Sequence, residues 1–362
     1  MLQVPQNVWD ALGETVTTTQ PWAVATYQGA TRRVDVDRDG AITWQATGAD
    51  AQASGTITVY GDGDSLIPTA EDHLLYPGRG QELMLYRDVI IGGAPYTIPL
   101  GVFRLVDDGD GGTWQERGGR TTSWKVPLTV VDRLRMHARG KVISPAAPQS
   151  NSMWAELQRL ALMPLMRGAL PDHTVPAGIG YDDRQTAIAN LAQLAGGVPT
   201  MTREGSMTIR ATDRWAIVTE PEFDIAGTID WKNGHTDGFF NWVWAHDPDN
   251  RFNGFAALTD DTNPKSVNRA GPSTYEHASP VYVSDAAAQA GANTILDRLL
   301  NRRSRTVTVQ VGMQGLCLDL GDVGWVRDTL HGRAVMGEVA EKTIRHAPTA
   351  PIDVTLIVAE EG

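Results

Sequence analysis

Alternation of apolar and polar positions dominates the first third of the chain, with the period of two that is typical of half-buried β-strands. β-Branched and aromatic residues occupy the apolar positions, and clusters of Gly, Asp and Pro interrupt the pattern. The alternation predicts seven strands, at 22–28, 31–37, 41–46, 54–60, 82–91, 96–106 and 121–131. A short helix is predicted before them, at 6–13. Seven short strands at this spacing favour a barrel or a sandwich over residues 1–133.

Helical periodicity replaces the alternation in the middle of the chain. A helix is predicted over 151–165, with Asn151 or Ser152 as its N-terminal cap. A second helix is predicted over 183–195, because the Gly-Gly pair that follows it is a frequent C-terminal signal. The next segment alternates again and predicts a hairpin that turns at the Glu-Gly pair 204–205. Two helices and a hairpin indicate a small α/β unit.

The last part of the chain returns to β-type alternation. Residues 240–247 alternate strictly, so Phe240, Trp242 and Trp244 are expected on one face of a strand. An Ala-rich helix capped by Ser284 is predicted over 284–302. Four further strands are predicted, at 305–311, 323–328, 334–344 and 353–359. The predicted fold class is therefore a β-rich α+β protein, with β-rich domains at 1–133 and 226–362 and an α/β domain at 134–225.

Length and composition narrow the classes of protein to consider. A chain of 362 residues suggests two or three domains, and 41% hydrophobic residues with 20% charged residues are typical of a folded protein. The net charge of −12 argues against a protein that reads nucleic acid, since phosphate binding requires clustered Lys and Arg. A single cysteine forms neither an internal disulfide nor a thiolate zinc site. We find no secretory signal and no apolar run of membrane-spanning length, and we expect folding in a cytoplasm.

The segment DVDRDGAITW, 35–44, matches the start of a calcium-binding EF-hand loop. Asp35, Asp37, Asp39 and Gly40 have the expected spacing, but the position of the bidentate carboxylate is occupied by Ala46. The flanking residues alternate as strands do, and no helices frame the loop. The sequence therefore favours a solvated β-hairpin that turns near the Arg-Asp-Gly sequence.

The other polar clusters predict no catalytic site and no metal site. The segments 61–64 and 107–112 are rich in Asp and Gly, as metal sites can be, but polar turns explain the same composition. The eight histidines form no metal-binding motif; they are His73, His137, His173, His235, His246, His277, His331 and His346. A nucleophile elbow and a phosphate-binding loop are both missing from the sequence. We predict no catalytic, cofactor-binding or metal-binding residue and no cofactor, while two distant carboxylates of a glycosidase remain an open alternative.

The eleven tryptophans allow two interpretations. Exposed aromatic rings can stack on sugars, which would suit a glycan-binding module. Trp44, Trp124, Trp242 and Trp244 all lie in strand-like segments, where burial of a large ring stabilises a core. Packing in the core or between subunits is the favoured interpretation.

The stretch GLCLDLGDVGWV, 315–326, contains the only cysteine, Cys317, close to Asp319 and Asp322. A reactive cysteine requires nearby cations, whereas these carboxylates would raise the pKa of the thiol. We therefore expect Cys317 to be buried as a small apolar side chain. Gly321 is expected to bend the backbone and Asp322 to accept hydrogen bonds from freed amides, ahead of a strand that starts at residue 323.

The order of several segments resembles that of phage tail hub and baseplate hub proteins. The helix–strand–corner sequence AAAQAGANTILDRLLNRRSRTVTVQV…LDLGDVGWV is similar to their C-terminal part. The stretches SGTITVYGDGDSLIP, LLYPGRGQELMLYRDV and IPLGVFRLVDD resemble the first domain of minor tail proteins from phages of actinobacteria. A helix followed by a hairpin at 184–210 fits the middle of that family. The resemblance covers roughly 15–215 and 280–358, although such families often have a proline near residues 315–317 where this chain has none.

The resemblance implies a structural protein of the virion and not an enzyme. Hub proteins of this kind have two tail-tube-like β-barrel domains per chain and assemble as a homotrimer, here inside the host cytoplasm. Three chains then present six similar barrels to a hexameric tail tube or distal tail protein above, and threefold symmetry to tip, fibre or spike proteins below. DNA passes through the central channel without specific binding, and the barrel edges are expected to pair with neighbouring subunits. The alternatives are a tail-associated hydrolase of peptidoglycan or glycan, and a glycan-binding receptor module.

Overall fold

The computed structural model describes most of the chain. The described residues are 1–14, 17–46, 51–62, 66–68, 70–106, 113–117, 120–140, 147–176, 179–181, 183–212, 214, 218–230, 240–301 and 305–358. Three sequence features lie wholly or partly outside these ranges: the polar segment 107–112, part of the segment 61–64, and His235. Within the described residues, no helix combines the length and the apolar character needed to cross a membrane.

The first β-rich region forms a ring of antiparallel strands after a short helix, α1 (Gln6–Gly13). Its strands are β1 (Thr17–Tyr27), β2 (Ala30–Gln45), β3 (Ala53–Gly61), β4 (Glu82–Ile91), β5 (Ala94–Val106), β6 (Thr113–Arg117) and β7 (Arg120–Asp132). The hydrogen-bonded order is β1-β4-β5-β7-β3-β2, and β2 pairs back onto β1. The pairing thus returns to the strand at which it starts, and we term this set the first circuit. β6 lies outside the ring and pairs with β7.

The second β-rich region forms a smaller ring, termed the second circuit. It contains β10 (Phe223–Asp230), β14 (Arg305–Val311), β15 (Val323–Asp328), β16 (Arg333–Arg345) and β17 (Ile352–Val358), with a 3₁₀ turn (Met313–Cys317) after β14. The order is β16-β15-β10-β14-β17, and β17 pairs back onto β16. β10 and β15 are parallel, and the other neighbours are antiparallel.

The two circuits belong to one large sheet, because β2 also pairs with β16. Five pairs of residues join them, from Gln45 opposite Glu341 to Ala41 opposite Arg345. Buried apolar residues from both circuits form one continuous core cluster, in which Ile42 and Ile344 meet across the joining strands. Each strand of either circuit has at least two partners within the chain. β5 pairs with β7 only over Phe103–Val106, however, so parts of these strand edges have no second strand partner in the described part of the chain, and pairing of barrel edges with neighbouring subunits stays a prediction.

The middle of the chain forms a compact α/β unit with its own apolar cluster. Its elements are α2 (Arg135–Arg139), α3 (Met153–Leu160), α4 (Arg184–Leu194), β8 (Gly197–Met201) and β9 (Met207–Ala211). The Ser152 side chain caps α3, as predicted. That helix ends earlier than expected, because Ala161 is already extended and Pro164 follows. The predicted hairpin is confirmed, and Gly205 has the positive φ of 80° that its turn requires.

Residues 240–301 form another unit with a separate core. Three strands, β11 (Trp242–His246), β12 (Asn253–Ala257) and β13 (Thr274–Ala278), make a sheet in the order β12-β11-β13. The short helix α5 (Val267–Ala270) precedes β13, and the predicted Ala-rich helix is α6 (Asp285–Asn301). α6 crosses Gly254 so closely that a Cβ atom there would lie 2.3 Å from the backbone of α6. The range 226–362 thus contains two cores, one of which belongs to the second circuit.

The predicted hairpin turn near Arg38 is wrong. Residues 31–37 and 41–45 belong to one long strand, β2, which continues through the Arg-Asp-Gly sequence. The register between β2 and β3 shifts between Val36 and Gly40, where a β-bulge replaces the expected turn. Gly40 has a φ of +100°, and a Cβ atom there would lie 2.4 Å from the carbonyl oxygen of Thr56. The bulge therefore needs glycine at this position.

Candidate functional site: a buried junction of the two circuits and the middle unit

Cys317 lies at the end of the 3₁₀ turn and is fully buried. Burial raises the pKa of its thiol to about 11, while Arg203 and Lys342 act weakly in the opposite direction. The direction of the shift agrees with the sequence-based expectation, but the main cause is burial and not the neighbouring carboxylates. Cys317 therefore has the environment of a packed apolar side chain, as predicted.

Reaction of Cys317 with a disulfide reagent at pH 8 should be at least about 100-fold slower in the folded protein than in the unfolded chain, because a buried thiol is shielded and rarely ionised. The measurement is the rate of colour release with and without denaturant. Rapid and complete labelling of the folded protein would show that the thiol is accessible and would support a reactive cysteine.

The corner after Cys317 has the geometry that the sequence predicts. Gly321 has a φ of +84°, and the carboxylate of Asp322 accepts a hydrogen bond from the backbone N–H of Asp319 at 2.6 Å. The amino group of Met1 donates to the other oxygen of Asp322 at 2.5 Å. Burial raises the pKa of Asp322, although this amino group opposes the shift. The corner thus presents one carboxylate inward, and β15 begins directly after it.

Lys342 lies beside this corner, on the strand that joins the circuits. It is opposite Trp44 in the pairing of β16 with β2, and its amino nitrogen lies 4.8 Å from the centroid of the Trp44 ring. The amino group donates to the carbonyl oxygen of Leu318. Burial lowers the pKa of Lys342 to about 7, and the charge of Arg203 acts in the same direction. A lysine in this setting is destabilising when protonated.

Arg203 connects all three parts of the junction. It lies in the turn between β8 and β9, and its guanidinium donates to the carboxylate of Asp319 at 2.8 Å. It also donates to the carbonyl oxygen of Pro99 in β5 at 2.9 Å and to that of Leu318 at 3.0 Å. Burial acts to raise the pKa of Asp319, but Arg203 and Lys342 outweigh it and hold this pKa below its usual range. One buried side chain of the middle unit thus binds both circuits.

Further hydrogen bonds hold the β8–β9 hairpin against the first circuit. Gln52 donates to the carbonyl oxygen of Pro199 at 2.8 Å and accepts from the hydroxyl of Thr200 at 2.7 Å. Arg133 donates to the carbonyl oxygen of Gly205 at 2.7 Å and pairs with Glu82. Polar contacts along its length therefore hold the hairpin against the first circuit.

The second circuit holds the same hairpin from the other side. Arg210 of β9 donates to Glu338 of β16 at 3.3 Å, and a Cβ atom at Gly321 would lie 2.3 Å from the Arg210 guanidinium. Burial lowers the pKa of Arg210. The positive φ of Gly321 thus favours glycine at the corner, and any larger residue there would also displace the Arg210 side chain.

A cavity of about 660 Å³ lies within this junction. Its walls combine apolar side chains of the first circuit, such as Trp44 and Phe103, with the charged side chains Arg203, Asp319 and Lys342. The charged side chains of this cavity connect the middle unit to both circuits.

The remaining sequence candidates are dispersed. Among the described residues, no group of three or more His, Cys, Asp or Glu side chains could hold a metal ion. Asp37 of the bulge pairs with Lys125. His137 and His346 are buried, and burial lowers the pKa of each to about 4. Trp124 is buried as expected, whereas Trp242 and Trp244 are only half-buried on the outer face of their sheet.

Comparisons with known proteins connect this architecture to phage tails. No protein-family model matches the sequence, and no curated protein is significantly similar to it. The fold is similar to that of the tail protein from Neisseria meningitidis MC58, with a TM-score of 0.55 and 14% identity over 93% of this chain and 96% of that chain. It is also similar to the 43 kDa tail protein of prophage MuSo2 from Shewanella oneidensis, with a TM-score of 0.54 and 10% identity over 93% of this chain and 98% of that chain. The chain therefore has the fold of these tail proteins along nearly all of its length.

Proposed function

We propose that this protein is a structural component of a phage tail and acts as the hub at the distal end of the tail tube. The observation that carries the proposal is the similarity of fold to two tail proteins over 93% of the chain. Because both relationships are below 15% identity, they support an architecture, and the role follows from what that architecture can do. The relation to phages of actinobacteria remains a prediction from the sequence.

The two circuits are the proposed tube-like barrels. Each closes on itself through its own strands, and the β2–β16 pairing holds them side by side. A threefold ring of such chains would place six barrels around one axis. That arrangement would match a hexameric tail tube or distal tail protein above and would leave threefold symmetry for tip, fibre or spike proteins below. The middle unit and residues 240–301 would then lie outside the ring of barrels.

Charge supports the channel part of the proposal. The net charge of −12 gives DNA little electrostatic attraction to the protein, so that a genome can pass through the ring without being held. We therefore propose that DNA moves through the lumen without specific binding. The virion is the proposed location of the assembled protein, after assembly in the host cytoplasm.

An exposed aromatic face favours one alternative, the glycan-binding module. Phe255 is 52% exposed on the outer face of β12, and its ring is nearly parallel to that of Trp244 at a centroid distance of 6.2 Å. Parallel aromatic rings on a sheet can contact sugar rings or a protein partner. The hydrolase alternative has no comparable support among the described residues, because Cys317 is buried.

The test of the proposal is the assembly state of the protein. We expect the purified chain to form a trimer, or to form rings with threefold or quasi-sixfold symmetry when it is mixed with its tail-tube protein. Light scattering after size-exclusion chromatography measures the first, and negative-stain imaging measures the second.

A chain that stays monomeric at high concentration and is absent from the tail tip of intact virions would contradict the hub role. If that monomer bound host cell-wall glycan, and Phe255→Ala abolished the binding, the glycan-binding alternative would replace it. The matched control is Leu330→Ala, which removes an exposed apolar side chain from the β15–β16 turn, outside the aromatic face.

A further inference from the structure

Trp244, His246 and Phe255 form a group of aromatic rings on the outer side of the β12-β11-β13 sheet. Val243 and Ala245 alternate with them on β11 and are fully buried in the core beneath α6, so the rings project from the opposite face. Trp244 is directly opposite Phe255, and their ring planes are inclined by only 7°. The His246 ring stacks on that of Trp244, with centroids 4.3 Å apart. Phe255, which is 52% exposed, presents ring surface to solvent.

Hydrogen bonds hold these rings in place without a ligand. Trp244 donates from Nε1 to Oδ1 of Asn253 at 2.9 Å. The side-chain amide of Gln289 on α6 accepts from the backbone N–H of Phe255 at 3.2 Å and donates to its carbonyl oxygen at 2.7 Å. These two bonds occupy the outer edge of β12 at Phe255, where an added strand would otherwise pair. A ligand of this face therefore has to contact side chains and not the backbone of β12.

A carboxylate borders the rings on the other side. Glu276 of β13 is directly opposite Trp244, so that the β11 strand separates it from Phe255. One of its oxygens lies 3.0 Å from Nε2 of His246, and the side chain is 61% exposed. A carboxylate accepts several hydrogen bonds, and Glu276 can therefore also accept from a hydroxyl group of a ligand. The face combines an apolar ring surface with an exposed hydrogen-bond acceptor.

We propose that this aromatic face binds a neutral sugar, with the C–H side of one pyranose ring on Phe255 and Trp244 and a hydroxyl group donating to Glu276. A pyranose has an apolar side and a rim of hydroxyl groups, and both features have a counterpart here. The carboxylate and the net charge of −12 disfavour an anionic sugar. The site does not depend on the proposed hub role, because sugar binding and assembly are separate properties of the chain.

A protein partner fits this face less well than a sugar. Stable protein interfaces bury about 800 Å² on each partner, and their centres contain few charged residues. Here the rings are few, and the exposed carboxylate of Glu276 lies directly beside them. A protein that covered the rings would also desolvate this carboxylate, at a cost that only a well-placed cation offsets. A sugar instead provides hydroxyl donors at the distance of its own rim.

Saturation-transfer difference NMR with two neutral trisaccharides, triacetylchitotriose and cellotriose, tests the proposal. At least one of them should bind with a dissociation constant on the order of 1 mM, because one ring surface and one carboxylate provide few contacts. The strongest transfer should reach the C–H protons on one side of a sugar ring. Phe255→Ala should weaken the binding by at least about 10-fold, and Glu276→Ala by about 5-fold. The matched control Leu330→Ala, in the exposed β15–β16 turn, should leave it unchanged.

Failure of both trisaccharides to bind the wild-type protein would overturn the proposal, and so would binding that Phe255→Ala leaves unchanged. If neither sugar binds and Phe255→Ala instead weakens self-association or capture by a tail protein, the face is a protein interface. The wild-type measurement decides the matter even if a variant does not fold. A trimer that binds neither sugar would refute this site alone, whereas a monomer that binds one would refute the hub role alone.

Discussion

Replacement of Arg203 by methionine is expected to lower the free energy of unfolding by roughly 2–4 kcal/mol, because a buried charged donor is removed from three acceptors at once. The change leaves Asp319 without its arginine partner, and it leaves the carbonyl oxygens of Pro99 and Leu318 without this donor. Methionine keeps most of the side-chain volume, so the loss is polar and not steric. Chemical denaturation monitored by tryptophan fluorescence measures the effect.

The matched control is Arg38→Met, because Arg38 is exposed on the bulge of β2, and its replacement should change the stability by less than about 0.5 kcal/mol. The double variant Arg203→Met/Asp319→Asn should recover part of the loss, since the unpaired carboxylate is then removed. Equal stabilities of the Arg203 and Arg38 variants would show that the hairpin does not hold the circuits together.

Replacement of Lys342 by methionine is expected to raise the free energy of unfolding. At pH 6 the variant should be more stable than the wild-type protein by about 1–4 kcal/mol, because a buried ammonium group is exchanged for an apolar side chain of similar volume. The hydrogen bond to Leu318 is lost, but the desolvation of the charge is larger than this contribution, as the lowered pKa of Lys342 indicates.

The same residue predicts a pH dependence. The pKa of Lys342 is about 7 in the folded protein and 10.5 for an ordinary lysine, so that between these values the unfolded chain binds more protons than the folded protein. Stability should therefore rise as the pH increases from about 7 towards 10, and below pH 7 the cost of burying the charge is fully present. The difference between wild type and Lys342→Met should shrink along this rise.

Lys125→Met serves as the control for the pH experiment, because Lys125 is exposed and pairs with Asp37 at the surface. Its curve of stability against pH should run parallel to that of the wild-type protein. A pH-independent difference between wild type and Lys342→Met from pH 6 to pH 9 would show that Lys342 does not lose its proton in the folded state.

Much of the fold follows from local sequence signals. The alternation at 82–91 predicts β4 to the residue, because one face of that strand is buried and the other is not. The caps of α3 and the hairpin turn at Gly205 are equally local, since the side chain or the glycine that forms them lies within the element. The sequence predicts a turn where β2 has a bulge, because Arg-Asp-Gly favours both, and only the pairing with β3 and β16 extends the strand through it.

Most of the contacts in the junction cannot be predicted from local sequence signals. Cys317, Gly321 and Asp322 could be interpreted from their own stretch of sequence, and the structure agrees with that interpretation. No sequence signal distinguishes Arg203 or Lys342. Arg203 lies in an ordinary polar turn, and Lys342 occupies a strand position that could equally well be exposed to solvent. Their partners are more than 20 residues away along the chain, and the charged character of each becomes informative only when burial is known.

The pairing of β2 with β16 has a mechanical consequence. Its five consecutive residue pairs lie side by side, so sliding one circuit along the other would strain all of their hydrogen bonds together. A twist about the strand axis strains far fewer of them, and the β8–β9 hairpin lies where it would resist such a twist. We therefore expect the two circuits to move as one rigid body under a force along the axis of these strands. How easily one circuit twists against the other should depend on the contacts of Arg203.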